Sequence, residues 1–532
     1  MKRSFNKFLL LLLATTLVTG GCSKKELDLS NPNVPGMPSL DTEEGIIRLG
    51  TGVQRKFGWQ NQYDYWWMVM TFHNTMGDMT WSSVGNFGMR WANQVEKITL
   101  DNGTVLTPPQ GGTQGLELKN RNTRSNGDQN VMNYEWTAMY GVNNQANLIL
   151  QQLESPTLVL TGNAEAKKNT LKAWAYWWKG FAYSRIGSMY VSGIINNTFN
   201  ETNSEFKDRN AIIAEAAVNF DKCVTALNAI ADMASYNAVM DKLIISFTKV
   251  GKGGIFSPAE WKRQINTYKA RNILVNKKPA DITGAEWTSI LTLTQDGTLA
   301  ADKILTMRSA DAQDVVAQTA WSPFRLTTNA WEFVSERWIQ EFKTGDARKT
   351  RNLVTRANPA VNQSGRGFQY GTRYDLKLIE NGGDYVSALA GRAEVPVACT
   401  YEENALTRAE AMIRTNNIEG GLALIDAVRT YQNAQLPAVA GTGLTLAQAL
   451  DELFRERRIA LFEKNTPFYD YRRFGFACKG CQRTGVVVLG PGGAVNTNAT
   501  IVYNYMDYFD VPLNELDFNV PGSGSAAVVF PY

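Results

Sequence analysis

In NAEAKKNTLKAWAYWWKGFAYSRIG, residues 163–187, alanines at 173, 175 and 182 stand among bulky aromatics, the mixture that lets two helices approach closely. The segment reads as a helix, and it has company. NYEWTAMYGVNNQANLILQQLE (133–154) keeps Trp136, Met139, Tyr140, Val142, Leu148 and Ile149 near one stripe, and similar amphipathic patterns fall at 208–230, 258–276, 329–343, 401–415, 418–432 and 446–464. Strand-like runs are short and scattered, as in GVVVLG (485–490) and AAVVF (526–530). The pattern predicts a mostly α protein of antiparallel helix pairs with long loops and short strands. AEAMIRTNNIEGGLALIDAVRTY (409–431) has the small-residue spacing of a tetratricopeptide unit, although no constant 34-residue period runs through the chain.

The first residues do something else. Lys2, Arg3 and Lys7 precede an apolar or small stretch from Phe8 to Val18, the layout of an export signal. As a helix that stretch would reach roughly 16 Å, against the roughly 30 Å of a bilayer core. Gly20-Gly21 then precede Cys22, which resembles the lipobox of bacterial lipoproteins, with Thr19 where that motif usually carries leucine. The expectation is a signal peptide over 1–21 and a lipidated Cys22, against an ordinary secretory signal with a spectator cysteine. Three acyl chains, at about 0.8 kcal/mol per buried CH₂, would hold the protein to a membrane. Residues 22–41 read as an extended tether ending at an N-cap, Asp41 or Thr42.

The counts narrow the function. Of 54 basic and 50 acidic side chains, three cations lie within residues 1–21, leaving 51 against 50 and no cationic excess for nucleic acid. Cys223 and Cys399 read as small buried hydrophobes, and Cys478 and Cys481 as a local disulfide or two free thiols. His73 is the only histidine, which argues against a Ser-His-Asp hydrolase or a zinc enzyme but not against carboxylate-only chemistry, and neither metal nor cofactor is expected. Glu456 and Glu463 lie seven residues apart on one helical face. A glycosidase would need two carboxyls across a cleft roughly 5 to 9 Å wide, which one helix with interleaved arginines supplies poorly.

Several segments, in order, resemble the SusD/RagB family of outer-membrane nutrient-binding lipoproteins. They are LDLSNPN (27–33), NYEWTAMYGVNNQANLIL (133–150), EAKKNTLKAWAYWWKGFAYSRIG (165–187), WKRQINTYKARNIL (261–274), FKTGDARK (342–349), YEENALTRAEAMIRTNN (401–417), ERRIALFEKNTPFYDYRRFG (456–475) and VPLNELDFN (511–519). The resemblance implies a SusD-like fold, divided into an N-terminal helical region with a ligand-face loop (42–280) and a C-terminal region (281–532). It implies a binding protein and not an enzyme, which captures oligosaccharides, or in some members peptides, for a SusC-like TonB-dependent transporter at the outer membrane, facing outward. The Ser-Lys-Lys-Glu after Cys22 departs from the acidic run of many exposed members.

Sugars present apolar C–H faces and polar rims, so flat aromatics beside amides and guanidinium groups are the expected ligand contacts. Trp66, Trp67, Trp136, Trp174, Trp177, Trp178, Trp261 and Trp338 lie in helical patterns and are assigned to packing. Two loop-like stretches remain. GDMTWSSVGNFGMRWANQ (77–94) offers Trp81, Phe87, Arg90, Trp91 and Asn93, and TAWSPFRLTTNAW (319–331) offers Trp321 and Phe324 beside Arg325. The competing reading is a pair of loops anchored to the body by their own aromatics.

Overall fold

The structure is a computed structural model that describes residues 37–60, 63–82, 88–108, 114–249, 251–309, 332–361, 371–377, 393–464, 467–476 and 478–531. Its centre is the helix Ala164–Met189, capped by the Asn163 side chain, which accepts from the Ala166 amide. From Trp177 to Met189 every side chain is buried, the condition of a helix surrounded by others. Glycines permit close approach on this helix. A Cβ at Gly180 would stand 2.6 Å from the Phe220 ring, and one at Gly187 2.8 Å from Ile213, so the helix Arg209–Asn228 settles into a groove that these two positions open.

Around it pack Glu43–Gly58, Val131–Gln152, Met233–Leu243 and Pro258–Val275. Thr42 caps the first of these, its hydroxyl accepting from the Gly45 amide at 3.1 Å. In the second half Tyr401–Arg414, Ile418–Tyr431 and Leu446–Ala460 form a helical layer with its own apolar cluster. The main core contains side chains from Ile46 to Val511, and Cys223 and Cys399 are buried thiols.

Strands are few among the described residues. Lys479–Leu489, Val495–Asn504, Val95–Thr99 and Val105–Leu106 form one antiparallel sheet in that order, and Cys478 and Cys481 are disulfide-bonded at its outer end. Two expectations are corrected. Residues 526–530 form no strand; that segment is held by single bonds such as Ala526 N to Phe206 O at 2.8 Å. The helix expected over 329–343 is replaced, within the described part, by a strand, Glu332–Val334, and one short turn, Glu336–Ile339. The strand wins because Thr80–Ser82 pairs with it, Trp81 opposite Phe333, and the two rings stack at 5.2 Å.

Charge holds this assembly together from inside. Arg473 bonds Glu410 through two nitrogens, at 2.7 and 2.5 Å, and Asp470 at 2.8 Å; Arg457 takes the other oxygen of Asp470 at 2.8 Å. Arg472 donates to Ser188 O, Val275 O and Asp507 O, and Arg458 to Gly77 O and Asp78 O. Asp470, Arg472 and Arg473 thus lock the C-terminal helix Pro467–Arg473 to the core.

Replacing Arg473 by alanine leaves one oxygen of each of two buried carboxylates without its donor, Asp470 keeping only Arg457 and Glu410 only Arg414, and urea unfolding is expected to show a loss of roughly 3–5 kcal/mol. Lysine is not expected to restore it, since one ammonium cannot reproduce the fork. Burial raises the Glu410 carboxyl, but the guanidinium of Arg473 overrides that and holds it at about 2, below its ordinary 4.5. The stability this pair contributes is present above the unfolded value and lost as pH falls toward about 2. Trp81→Ala empties a site only 1% exposed, and a loss of roughly 3–5 kcal/mol is expected in the same measurement.

Candidate functional site

A cavity of about 500 Å³ opens between the helical layer of the second half and the segment 298–304, within the size range of small-ligand pockets. Its aromatic wall follows from the helical hairpin. Antiparallel helices bring the first residue of one beside the last residue of the next, here Tyr401 beside Tyr431, ring centroids 5.0 Å apart and edge to face. Tyr431 remains 39% exposed, and the Lys252 ammonium stands 5.4 Å from its ring. Burial, with Glu402 nearby, pushes the Tyr431 phenol up to about 12, so it stays a neutral donor.

The rim is polar and internally paired. Lys464 Nζ donates to Glu402 Oε1 at 2.6 Å, and Gln432 Nε2 donates to the same oxygen at 3.1 Å. Burial raises the Glu402 carboxyl, but the charge of Lys464 prevails and holds it below the usual carboxylate range. Arg351 donates to Gln432 O and Asn433 O, and Arg348 to Gln432 Oε1 at 3.0 Å. Phe342, Ile459 and Phe462 add apolar lining, and Glu463 lines the cavity beside them. This is a chamber with a phenol pair on one wall, amides and alternating charges on its rim, and an apolar base.

From that floor a buried polar chain leads to the strand pair. Asn74 Nδ2 donates to Glu463 Oε1 at 2.7 Å; Thr71 and Thr80 donate to Glu332 at 3.1 and 2.5 Å. Burial raises both carboxyls, and the charge of Glu463 raises Glu332 further. Glu332 opposes Ser82 across the ladder.

The residues singled out in the sequence divide accordingly. Thr80–Ser82, in the first loop-like stretch, pairs with Glu332–Val334, and the second stretch, 319–331, lies outside the described residues. Trp81 is 1% exposed, stacked on Phe333, and Trp91 is buried with the Arg121 guanidinium 3.5 Å from its ring. In this conformation neither ring has a face free for a ligand, which corrects their assignment as contacts in favour of anchoring. Asn93 is half-buried and accepts from the Val95 amide at 3.3 Å. Cys22, Phe87, Trp321 and Phe324, and the side chain of Arg90, lie outside the described residues. Tyr401, Tyr431 and Lys252 were not singled out. They sit at helix ends and in a loop, and a tyrosine at position one of a helix is a recognisable signal that the search for tryptophans passed over.

Chemically, the cavity supplies binding groups. Glu456 is fully buried and bonded by Arg348 at 2.5 Å and Arg429 at 2.8 Å, so it does not face Glu463 across a cleft. His73 is also buried, its Nε2 3.1 Å from Glu135, and burial pushes its imidazole down. Among the described residues no group of three or more His, Cys, Asp or Glu is arranged to hold a metal ion.

No protein-family model matches the chain, and none of the curated proteins matches it in sequence. Solved structures do match. A SusD-like carbohydrate-binding protein from Bacteroides fragilis NCTC 9343 superposes with a TM-score of 0.60 at 12% identity, over 90% of this chain and 98% of that one. A SusD-like protein from the same organism gives 0.56 at 12% identity, over 92% and 98%. A SusD-like carbohydrate-binding protein from Bacteroides vulgatus ATCC 8482 gives 0.50 at 12%, over 88% and 91%. Helix order, the paired helices of the second half and the sparse short strands together place the chain in the SusD-like fold.

Proposed function

We propose that this protein binds oligosaccharides at the Tyr401/Tyr431 cavity. The observation that carries the reading is the lining itself, a tyrosine pair beside Gln432, Asn433, Glu402 and Lys464 over an apolar floor. Ring faces and edges match the C–H surfaces of a pyranose, while amides and charged groups match its hydroxyls. Two structural neighbours described as carbohydrate-binding support the same reading. Phe87, Arg90, Trp321 and Phe324 are further ligand contacts in this proposal, on the sequence reading alone.

The wider role follows from the sequence reading. Cys22 is the lipid anchor and residues 22–41 the tether; the body stands at the outer membrane, facing outward, and hands its ligand to a SusC-like TonB-dependent transporter. No helix among the described residues is long and apolar enough to cross a membrane. The task is capture, with no bond broken and no cofactor used.

A glycan array with an affinity-gel assay tests the ligand class. Tyr431→Ala is expected to weaken binding about tenfold while costing about 1 kcal/mol of stability. Binding of peptides but of no glycan would transfer the cavity to a peptide ligand. For the anchor, Cys22→Ser is expected to release the protein from the membrane fraction, and retention there would remove the lipid.

A further inference from the structure

The charged groups that line the cavity differ in how far the protein itself answers them. The carboxylates are engaged. Asp302 accepts from Arg263 Nε at 2.8 Å and Nη2 at 2.6 Å and from the Leu299 amide at 2.9 Å, and Glu402 accepts from Lys464 and Gln432. Glu394 accepts from the Gly253 amide at 2.8 Å, and Glu463, 3% exposed, is bonded by Asn74. The cations do not all match them. Arg348 is paired with Asp346 and Glu456, and Lys464 with Glu402. Lys252 is not paired in this way. Among the described residues its ammonium bonds only the carbonyl of Ala300 and stands 5.4 Å from the Tyr431 ring. Lys303, across the same loop, donates to Gly251 O at 2.6 Å and likewise meets no carboxylate among the described residues.

An ammonium is donor-only, and one carbonyl leaves part of its capacity unused at a half-buried position beside the phenol pair. The exposed Asn433 amide and the hydroxyls of Tyr401 and Tyr431 also line the cavity without a side-chain hydrogen bond among the described residues. What the cavity offers a guest is therefore a set of donors that includes a positive charge, while its carboxylates are already answered. We propose that the oligosaccharide is acidic, a chain of uronic acid residues, and that Lys252 pairs with a carboxylate of that chain. This rests on the oligosaccharide reading and narrows it to one class of sugar. A uronate differs from a neutral hexose only at its exocyclic carbon, which carries a carboxylate in place of a hydroxymethyl group, so its ring keeps the apolar C–H faces that suit the tyrosines. The carboxylate takes the unused donors of Lys252 as charge-assisted hydrogen bonds, and the ring hydroxyls meet Asn433 and the phenols. Asp302 and Glu402 face this guest as members of ion pairs, so they do not cancel the charge of Lys252.

The experiment is isothermal titration of the purified protein with oligomers of galacturonate, mannuronate and glucuronate, each beside its methyl ester, and with the neutral maltohexaose and xylohexaose. The ester keeps the chain and removes the charge. Expected for the wild type is an affinity for one of the acids about tenfold above that for its ester, with the difference shrinking as salt is added. Lys252→Met keeps an apolar stem beside Tyr431 and removes the ammonium, so it is expected to bind the acid no better than the ester and the ester as the wild type does. Lys252→Arg is expected to keep the preference. Thermal melts accompany each variant; should the methionine variant not fold, the wild-type comparison of acid with ester carries the decision. Acid and ester bound equally, a neutral oligosaccharide bound where no uronate is, or a methionine variant that still prefers the acid overturns this inference and leaves the oligosaccharide reading in place. A wild type that binds none of these sugars overturns both.

Discussion

Helix ends are the difficult part of burying a helix, because the last carbonyls have no partner within it. In this protein arginines near the C-terminus solve that problem for helices far away in the chain. Arg472 reaches Ser188 O and Val275 O, at the ends of the central helix and of Pro258–Val275, and Arg458 reaches Gly77 O and Asp78 O just past Tyr65–Met76. Each guanidinium brings several donors and a positive charge to the negative end of a helix. The first half of the fold can bury its helix ends because the second half supplies these groups.

The ladder beneath the candidate ligand face depends on the same device. Asp78, left-handed at φ 52° and buried, accepts from Arg337 at 2.6 Å and from Ser335 Oγ at 3.0 Å, which draws Glu332–Val334 against Thr80–Ser82. Glu332 stands at the far end of that ladder and Glu463 at the cavity floor, with Asn74 beside both. The cavity and the ladder are therefore one polar construction. A shift in the protonation of one carboxyl is felt by the other through a low-dielectric interior.

Much of this was legible in the residues. The run of aromatics and small residues in 163–187 announced a central helix, and Ser257 with Glu260 and Thr445 with Gln448 show the capping boxes that start two others. The site was less legible, because the rule that tryptophans bind sugars ignores how much apolar area a core of this size consumes. The ladder overrode a helical pattern at 329–343, since pairing between residues some 250 apart leaves no local signature. Tyr401 and Tyr431 meet only because their helices are antiparallel, a fact of topology.

All nine tryptophans whose side chains are described, Trp81, Trp91, Trp136, Trp174, Trp177, Trp178, Trp261, Trp287 and Trp338, are at most 7% exposed. Seven of them, Trp81, Trp136, Trp174, Trp177, Trp178, Trp261 and Trp338, also touch another aromatic ring within 6.3 Å. Their emission is that of indoles in a dry, crowded interior, with excitation passing among neighbours. The intrinsic fluorescence of these indoles thus reports the integrity of the helical core, and only Trp338, packed on the cavity-lining Phe462 and Phe342, stands one ring away from a guest beside Tyr401 and Tyr431.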